Sequence, residues 1–286
     1  MIPRLDDYVL AVADSLRDAL NDLAQHPGAR PFAGGTDLMV VLEAGQLPAG
    51  RYVSLQNCRE LFGIADVEGG GVSIGALTTY TEIRNSTRLS REYPLLGLAA
   101  RETGGVATQN RGTIGGNIAN ASPAADTPPV LLVYDAELEL RSSSGSRRVP
   151  YAQFHLGYKK MDLRAGELIA RVILPPHVME ASISYYRKVG TRKAQAISKV
   201  CVAGTIRLQA GTVEHVRIAI GSVAPTVIRA VKTEGALHGK RFNENAIGAA
   251  ERMLQSEIAP IDDLRSTARY RTRVAANLLR EFLSAG

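Results

Sequence analysis

Two glycine pairs lie far apart in this chain, each inside a run of small and polar residues. Residues 33–38 have the sequence AGGTDL, and residues 113–126 have the sequence TIGGNIANASPAAD. Glycine has no Cβ, so its backbone can adopt positive φ and approach a ligand closely, and successive N–H groups can then form a concave anion site. Because such runs bury little apolar surface, they favour ligand-facing backbone over core. The two segments together predict a site that holds one diphosphate between them.

Neither glycine segment contains a Lys or an Arg. We therefore expect the phosphates to be held mainly by backbone donors and by the hydroxyls of Thr36, Thr113 and Ser122, with Arg111 just outside the second segment. The alternative is that both segments are ordinary turns, since the chain has 27 glycines and most glycine pairs mark turns. Each segment follows a short run of apolar or small residues and leads into a possible helix, which favours the binding site.

Other phosphate-binding motifs are missing from the sequence. A Walker loop requires Gly-Lys-Ser/Thr, which does not occur. The glycine run at residues 69–71 is followed by VSIG, so it lacks the dinucleotide spacing Gly-x-Gly-x-x-Gly and indicates a hairpin turn. A dinucleotide bound here is therefore not expected on a Rossmann fold.

Composition indicates an ordinary globular protein with room for two domains. The chain has 286 residues, of which 45% are hydrophobic and 22% charged. The apolar runs are too short to cross a bilayer and the N-terminus lacks the features of a signal peptide, so we expect a cytoplasmic protein without a membrane span. The net charge of +6 raises the alternative of nucleic-acid binding, but five Phe and no Trp leave little for a stacking platform. We expect no nucleic-acid partner.

Cysteine and histidine usage predicts no metal centre in this chain. Cys58 and Cys201 are the two cysteines, there is no Cys-x-x-Cys pair, and the five histidines are scattered. A disulfide between the two cysteines stays open, although buried free thiols are the expectation for a cytoplasmic protein.

Hydrophobic spacing predicts an α+β first part and a different second part. A helix is expected from an N-cap at Ser15 to near residue 26, another after the first glycine pair, and a mostly helical stretch over residues 81–107. Short strands are predicted at residues 29–32, 52–55, 63–67, 72–74, 138–141 and 168–174. Pro175 and Pro176 mark the expected boundary. Beyond it, strands are predicted at residues 182–189, 199–208 and 213–222, and helices at residues 244–256 and 262–283.

The two glycine segments, in this order, resemble the FAD-binding medium subunit of the molybdenum hydroxylases, the group of xanthine dehydrogenase and carbon monoxide dehydrogenase. The resemblance extends over residues 32–38, 74–79, 111–129, 186–203 and 263–268. Residues 186–200, YRKVGTRKAQAISKV, resemble the xanthine dehydrogenase branch more than the carbon monoxide branch.

The resemblance implies an α+β fold. Its parts would be a two-part FAD-binding domain of the vanillyl-alcohol-oxidase (PCMH) type over residues 1–176, and a small C-terminal domain of antiparallel sheet plus helices over residues 177–286. It also implies an oxidoreductase subunit within a heteromer. A small subunit would carry two-iron iron–sulfur clusters and a large subunit the molybdopterin. This chain would pass electrons through FAD to NAD, oxygen or another acceptor.

The resemblance also implies a set of FAD-binding residues and no catalytic acid, base or nucleophile in this chain. The residues carried over are Pro31, Phe32, Ala33, Gly34, Gly35, Thr36, Asp37, Leu38, Thr113, Gly116, Asn117, Asn120, Ala125, Asp126, Ile169 and Lys188. The stretch ending at Leu38 would wrap the pyrophosphate and ribityl chain, and the four residues from Thr113 to Asn120 would form the opposite wall.

Three of the carried-over residues have individual roles and alternatives. Asp126 would accept hydrogen bonds from the adenosine ribose hydroxyls, a task suited to a carboxylate. Its alternative is an N-cap before Pro128. Ile169 would pack near the isoalloxazine ring, or be a plain strand residue. Lys188 would approach the polar edge of the flavin ring, or be a solvated lysine.

The sequence departs from the family pattern at two places, of which the first narrows the implied function and the second leaves it wider. The chain lacks the cysteine-bearing insertion with which some reductases of this group bind a further cluster. Gln195 lies where certain eukaryotic relatives have an acidic residue, which leaves the electron acceptor open. The rival hypotheses are a self-contained flavoenzyme on the same fold and a basic nucleic-acid-binding protein.

Overall fold

The computed structural model describes residues 4–176 and 182–284. The helices are α1 Leu16–Gln25, α2 Leu38–Glu43, α3 Tyr80–Asn85, α4 Thr87–Glu92, α5 Pro94–Glu102, α6 Val106–Arg111, α7 Ile114–Ala119, α8 Pro128–Val133, α9 Val231–Leu237, α10 Glu244–Glu257 and α11 Ala268–Leu283. The strands are β1 Tyr8–Val12, β2 Arg30–Phe32, β3 Gly50–Ser54, β4 Ile64–Asp66, β5 Val72–Gly75, β6 Glu137–Ser142, β7 Gly145–Pro150, β8 His155–Gly157, β9 Lys160–Met161, β10 Leu168–Leu174, β11 Ser182–Val189, β12 Val200–Gln209, β13 Thr212–Gly221 and β14 Ile228–Arg229.

A parallel sheet of order β1-β3-β2 begins the fold. Helix α1 packs against it and starts as predicted, because the Ser15 hydroxyl accepts a hydrogen bond of 3.1 Å from the Asp18 N–H. Its apolar face is buried through Leu16, Leu20 and Leu23. The strand β2 runs directly into the first glycine segment, so this sheet positions that segment.

A five-stranded antiparallel sheet of order β4-β5-β10-β6-β7 forms the second part. Helices α3 to α8 lie in the chain between β5 and β6, and their apolar residues share one core with this sheet. The second glycine segment, with α7, belongs to this part. The Ala76 N–H, just after β5, donates to the Ala170 carbonyl in β10.

The C-terminal sheet of order β11-β12-β13-β14 has helices on both faces. Its larger side chains, such as Val202 and Ile218, share a core with α10 and α11. Its small residues Ala203 and Ala219 instead join the core of the first half of the chain, where α5 and α8 pack. An antiparallel sheet with helices was predicted here, but only one covered face was expected. The small residues allow the second helical layer to approach closely.

Several sequence predictions of elements are wrong in detail. The stretch over 81–107 is mostly helical, as predicted, but it is divided among four short helices, whose breaks were not predicted. Ser86 both ends α3 and caps α4, Pro94 begins α5, and Gly104 has φ of +60° before α6. The last helix starts at Ala268, capped by Thr267, rather than at residue 262. Strands β1 and β7 and helix α9 were not predicted.

Other expectations have mixed outcomes. Cys58 and Cys201 are buried free thiols, as expected. In the ranges that the structure describes, no helix is both long enough and apolar enough to cross a membrane. The same ranges contain no group of three or more His, Cys, Asp or Glu side chains that could hold a metal ion. The division of the chain after residue 176 stays a prediction, because residues 177–181 lie outside the described ranges.

Candidate cofactor-binding site

The two glycine segments lie side by side in the structure. The Asn120 amide donates a hydrogen bond of 3.1 Å to the Asp37 carboxylate, which joins the second segment to the first. The first segment also touches the backbone just before the second, because a Cβ on Gly34 would overlap the carbonyl group of Arg111. Glycine is therefore required at residue 34 for this approach, whereas the sequence predicted a close approach to a ligand.

The first segment presents backbone donors that have no acceptor. Among the described residues, the N–H groups of Gly34, Gly35, Thr36 and Asp37 make no hydrogen bond within the protein. Gly35 has φ of +75°, a left-handed conformation that favours glycine. These residues are half-buried or exposed, so a ligand can reach them. Consecutive free amides in a turn form an anion-binding concavity.

The second segment differs from the expectation that both would offer free amides. The Gly115 N–H donates to the Ala76 carbonyl at 2.8 Å, and the Gly116 N–H donates to the Thr113 hydroxyl at 3.1 Å. A Cβ on Gly115 would lie 2.6 Å from the Ala76 Cβ. Gly115 therefore allows α7 to approach Ala76, the residue that follows β5. A Cβ added to Gly116 would lie 2.9 Å from the Thr113 hydroxyl and 3.9 Å from the Ala33 Cβ.

Lys159 is a cation at this site that sequence reasoning missed. It lies in the turn between β8 and β9, and its ammonium group donates to the backbone oxygen and the side-chain oxygen of Asn120, each at 2.5 Å. Burial lowers the pKa of Lys159, and the nearby Asp37 carboxylate partly opposes that change. The contact spans residues distant in sequence, and no local motif around Lys159 predicts it.

Asp126 and Lys188 form a buried ion pair. The Lys188 ammonium donates to the Asp126 carboxylate and to the Glu102 carbonyl, both at 2.7 Å, and the Ser198 hydroxyl donates to the other carboxylate oxygen at 2.8 Å. The Lys188 side chain is 4% exposed and the Asp126 side chain is 10% exposed. Burial raises the pKa of Asp126, and the Lys188 charge opposes it. The alternatives were wrong, because Thr127 is the N-cap of α8 and Lys188 is not solvated.

Lys188 and Asp126 retain hydrogen-bonding capacity for a ligand. An ammonium group has three donors, of which two are used here, and each carboxylate oxygen can accept more than one hydrogen bond. Lys188 also lines a cavity of about 650 Å³, together with Glu102, Gly190 and Arg192. That volume is within the range of small-molecule pockets.

The remaining predicted residues occupy different positions. Thr113 is the N-cap of α7, and the Asn117 side-chain oxygen accepts from the Thr127 hydroxyl at 2.8 Å. Ile169 is buried in β10, the strand against which α7 packs. The rest differ in exposure: Ala125 in the second segment is buried, Ala33 and Leu38 in the first segment and Phe32 before it are half-buried, and Pro31 is exposed.

Comparison with known families decides which kind of site this is. Residues 6–177 match the family described as the FAD binding domain in molybdopterin dehydrogenase. Residues 165–285 match the CO dehydrogenase flavoprotein C-terminal domain. The chain belongs to the FAD-binding medium subunits of the molybdenum hydroxylases. It is thus an oxidoreductase component, and the predicted fold of a PCMH-type FAD-binding domain followed by a C-terminal sheet-and-helix domain is confirmed.

Individual relatives cover nearly the whole chain. The xanthine dehydrogenase FAD-binding subunit of Escherichia coli O157:H7 is 33% identical, over 95% of this chain and 93% of that protein. The glyceraldehyde dehydrogenase medium chain of Sulfolobus acidocaldarius is 34% identical, over 96% and 95%. A solved structure of the Hydrogenophaga pseudoflava carbon monoxide dehydrogenase, lacking the Mo-pyranopterin moiety, superimposes with a TM-score of 0.94 and 31% identity, over 100% of this chain and 98% of that one.

Proposed function

We propose that this FAD-binding subunit is the electron-transfer component of a cytoplasmic, molybdopterin-dependent hydroxylase or dehydrogenase. The observation that carries the proposal is the set of free amides at residues 34–37, facing a second segment held against them. The chemistry that FAD supplies when bound is electron transfer from two-iron clusters on a partner subunit to NAD, oxygen or another acceptor. This chain binds and orients the cofactor and contributes no catalytic acid or base.

The pyrophosphate is the part of FAD that the first segment suits best. Its oxygens need donors, and the amides of residues 34–37 need acceptors. Glycine at residue 34 removes the Cβ that would hold the two segments apart. The stretch from Pro31 to Leu38 forms one wall in this proposal. The opposite wall consists of Thr113, Gly116, Asn117 and Asn120, with Ala125 as a further cofactor-binding residue.

The buried ion pair suits one side of the pyrophosphate. The sequence assigned Asp126 to the adenosine ribose hydroxyls and Lys188 to the polar edge of the flavin ring, which lie on opposite sides of the pyrophosphate in FAD. Because the two side chains are 2.7 Å apart, we propose that they serve the same part of the cofactor, Asp126 accepting from its hydroxyls with the lone pairs that Lys188 and Ser198 leave open, and Lys188 donating with its remaining hydrogen. Ile169 packs near the ring.

Partner subunits fit the exposed apolar surface of the N-terminal part. Val9, Leu10 and Val12 of the edge strand β1 are each more than half exposed, and so are Met39 and Val40 of α2. Large exposed apolar side chains mark interaction surfaces more often than chance. We propose that the small iron–sulfur subunit and the large molybdopterin subunit are the partners, with a xanthine dehydrogenase-like overall enzyme.

The test is the flavin content of the purified chain. We expect stoichiometric FAD in the wild type, and its loss from Gly116→Leu, because a bulky side chain would fill the space toward Ala33. An added Cβ would also lie 2.9 Å from the Thr113 hydroxyl that caps α7, so the circular dichroism spectrum and the thermal unfolding of the variant are compared with those of the wild type. A wild type without flavin would refute the proposed function, and stoichiometric FAD in the variant would refute the segment assignment. Purification with co-expressed partners, followed by bleaching of the flavin with purines or aldehydes, tests electron transfer. Turnover by the chain alone would instead indicate a self-contained flavoenzyme.

A further inference from the structure

We propose that Lys159 is the cation that pairs with the FAD pyrophosphate, and that it does so by offsetting the charge of Asp37. The inference rests on the proposed function, because it names a further residue of the same site. It differs from the sequence expectation, in which backbone amides and hydroxyls held the phosphates without a lysine.

Asp37 creates an electrostatic problem that a cation must solve. Its amide is one of the free donors, but its carboxylate brings a negative charge to a site for a doubly charged pyrophosphate. The carboxylate does not cap α2, and the hydrogen bond that it accepts comes from the neutral amide of Asn120. Like charges at close range disfavour binding by amounts that grow as the site loses water.

Lys159 is placed to supply positive charge beside Asp37, whereas the Arg111 guanidinium group lies at Gly34, with its Nε 3.5 Å from the Gly34 carbonyl oxygen. Its ammonium group binds two oxygens of Asn120, the residue that also binds Asp37, so the three side chains form one chain of contacts across the site. Both lysine contacts are to neutral oxygens, and a third donor remains. A phosphate oxygen is a stronger acceptor for an ammonium group than an amide oxygen, since the pair is charge-assisted.

The turn that carries Lys159 is fixed to the second segment. The His155 Nε2 lies 2.9 Å from the Ile118 carbonyl oxygen in α7, so β8 is tied to the helix that precedes Asn120. Lys159 itself has φ of +55°, a conformation expected of a turn residue and uncommon for lysine. The backbone of Lys159 is thus held in a defined position, while its flexible four-carbon side chain allows the ammonium group to move.

The experiment measures binding of three probes to the deflavinated full-length chain. FAD and ADP contain the pyrophosphate, and riboflavin lacks it. We expect Lys159→Met to weaken FAD and ADP about tenfold, the loss of one charge-assisted hydrogen bond, and to leave riboflavin unchanged. Lys159→Arg should retain most of the affinity. The matched control is Lys160→Met, which removes the same charge from the neighbouring exposed residue.

Asp37 supplies a second, independent readout. In an Asp37→Asn background, Lys159→Met should weaken FAD less than in the wild type, because the charge that Lys159 offsets is gone. If the wild type binds FAD and Lys159→Met binds it equally tightly, this inference is overturned and the proposed function stands. Equal weakening by Lys160→Met, or equal weakening of riboflavin, also overturns it. A wild type that binds neither FAD nor ADP overturns both.

Discussion

The glycine pair at residues 34–35 leaves its amides without acceptors, whereas the pair at residues 115–116 uses its amides inside the chain. The first lies in a half-exposed loop, and the second opens a helix packed against β10 and against Ala76, the residue after β5. The same dipeptide therefore serves ligand access in one place and close packing in the other. A glycine-rich run therefore shows only that something lies close to the backbone. Whether that is a ligand or another part of the chain depends on whether the amides of the run are already hydrogen-bonded within the protein.

The largest expected effect concerns the far end of the second segment. Lys188→Met leaves the Asp126 carboxylate buried without its cation, and we expect unfolding to become easier by about 3–5 kcal/mol. Denaturant titration of the apoprotein measures this. The double variant Asp126→Asn with Lys188→Met should recover part of the loss, and a single variant as stable as the wild type would show that the pair does not support the second segment.

The next largest loss of stability is expected for Gly115→Val. A Cβ there lies 2.6 Å from the Ala76 Cβ and 2.8 Å from its carbonyl oxygen, so α7 must move, at a cost of about 1–3 kcal/mol. Thermal unfolding of the apoprotein provides the measurement. Gly248→Val, at an open position in α10, is the control for glycine replacement in a helix. Equal stability of the two variants would contradict the packing role of Gly115.

Gly34→Ala should affect FAD affinity more than stability, the reverse of Gly115→Val. Its Cβ would overlap the Arg111 carbonyl, but the loop is half-exposed and can yield, so we expect a small loss of stability and about a 100-fold loss of FAD affinity. Titration of the deflavinated chain with FAD gives the affinity. A variant that loses stability but keeps its affinity for FAD would break the contrast between the two pairs.

The smallest effect is a dependence on pH. Burial lowers the pKa of His155, whose Nε2 lies beside the Ile118 carbonyl in the second segment. Its folded pKa is below its unfolded value of about 6.5, so its contribution to stability is present above that pH and is lost as pH falls through the folded pKa. Unfolding followed from pH 7 down to about pH 5 should show a shallower loss in His155→Gln than in the wild type. Identical slopes would contradict the assignment.

Local signals allowed part of this molecule to be predicted. The Ser15 cap and the strand pair β12 and β13 follow from neighbouring residues, whereas the need for glycine at residue 34 comes from the distant Arg111 carbonyl. The breaks in the stretch over 81–107 were missed because apolar spacing continues across Ser86 and Pro94. The Ser86 cap and Pro94 interrupt the helix even though the apolar periodicity continues.

The candidate site was predictable in outline but not in its contacts. Both glycine segments could be singled out because small-residue runs are visible in one sequence. Whether an amide is free depends on distant partners such as Ala76, and no spacing rule specifies that partner. The same holds for Lys159 beside Asn120 and for Lys188 beside Asp126, which are pairs formed by tertiary structure.

The most direct test of the two-segment site is residue-resolved amide hydrogen exchange with and without FAD. The account predicts that the amides of residues 34–37 exchange rapidly in the apoprotein and slow strongly when FAD binds. The amides of Gly115 and Gly116 should be slow already and change little. Unchanged exchange at residues 34–37 on FAD binding would contradict the account.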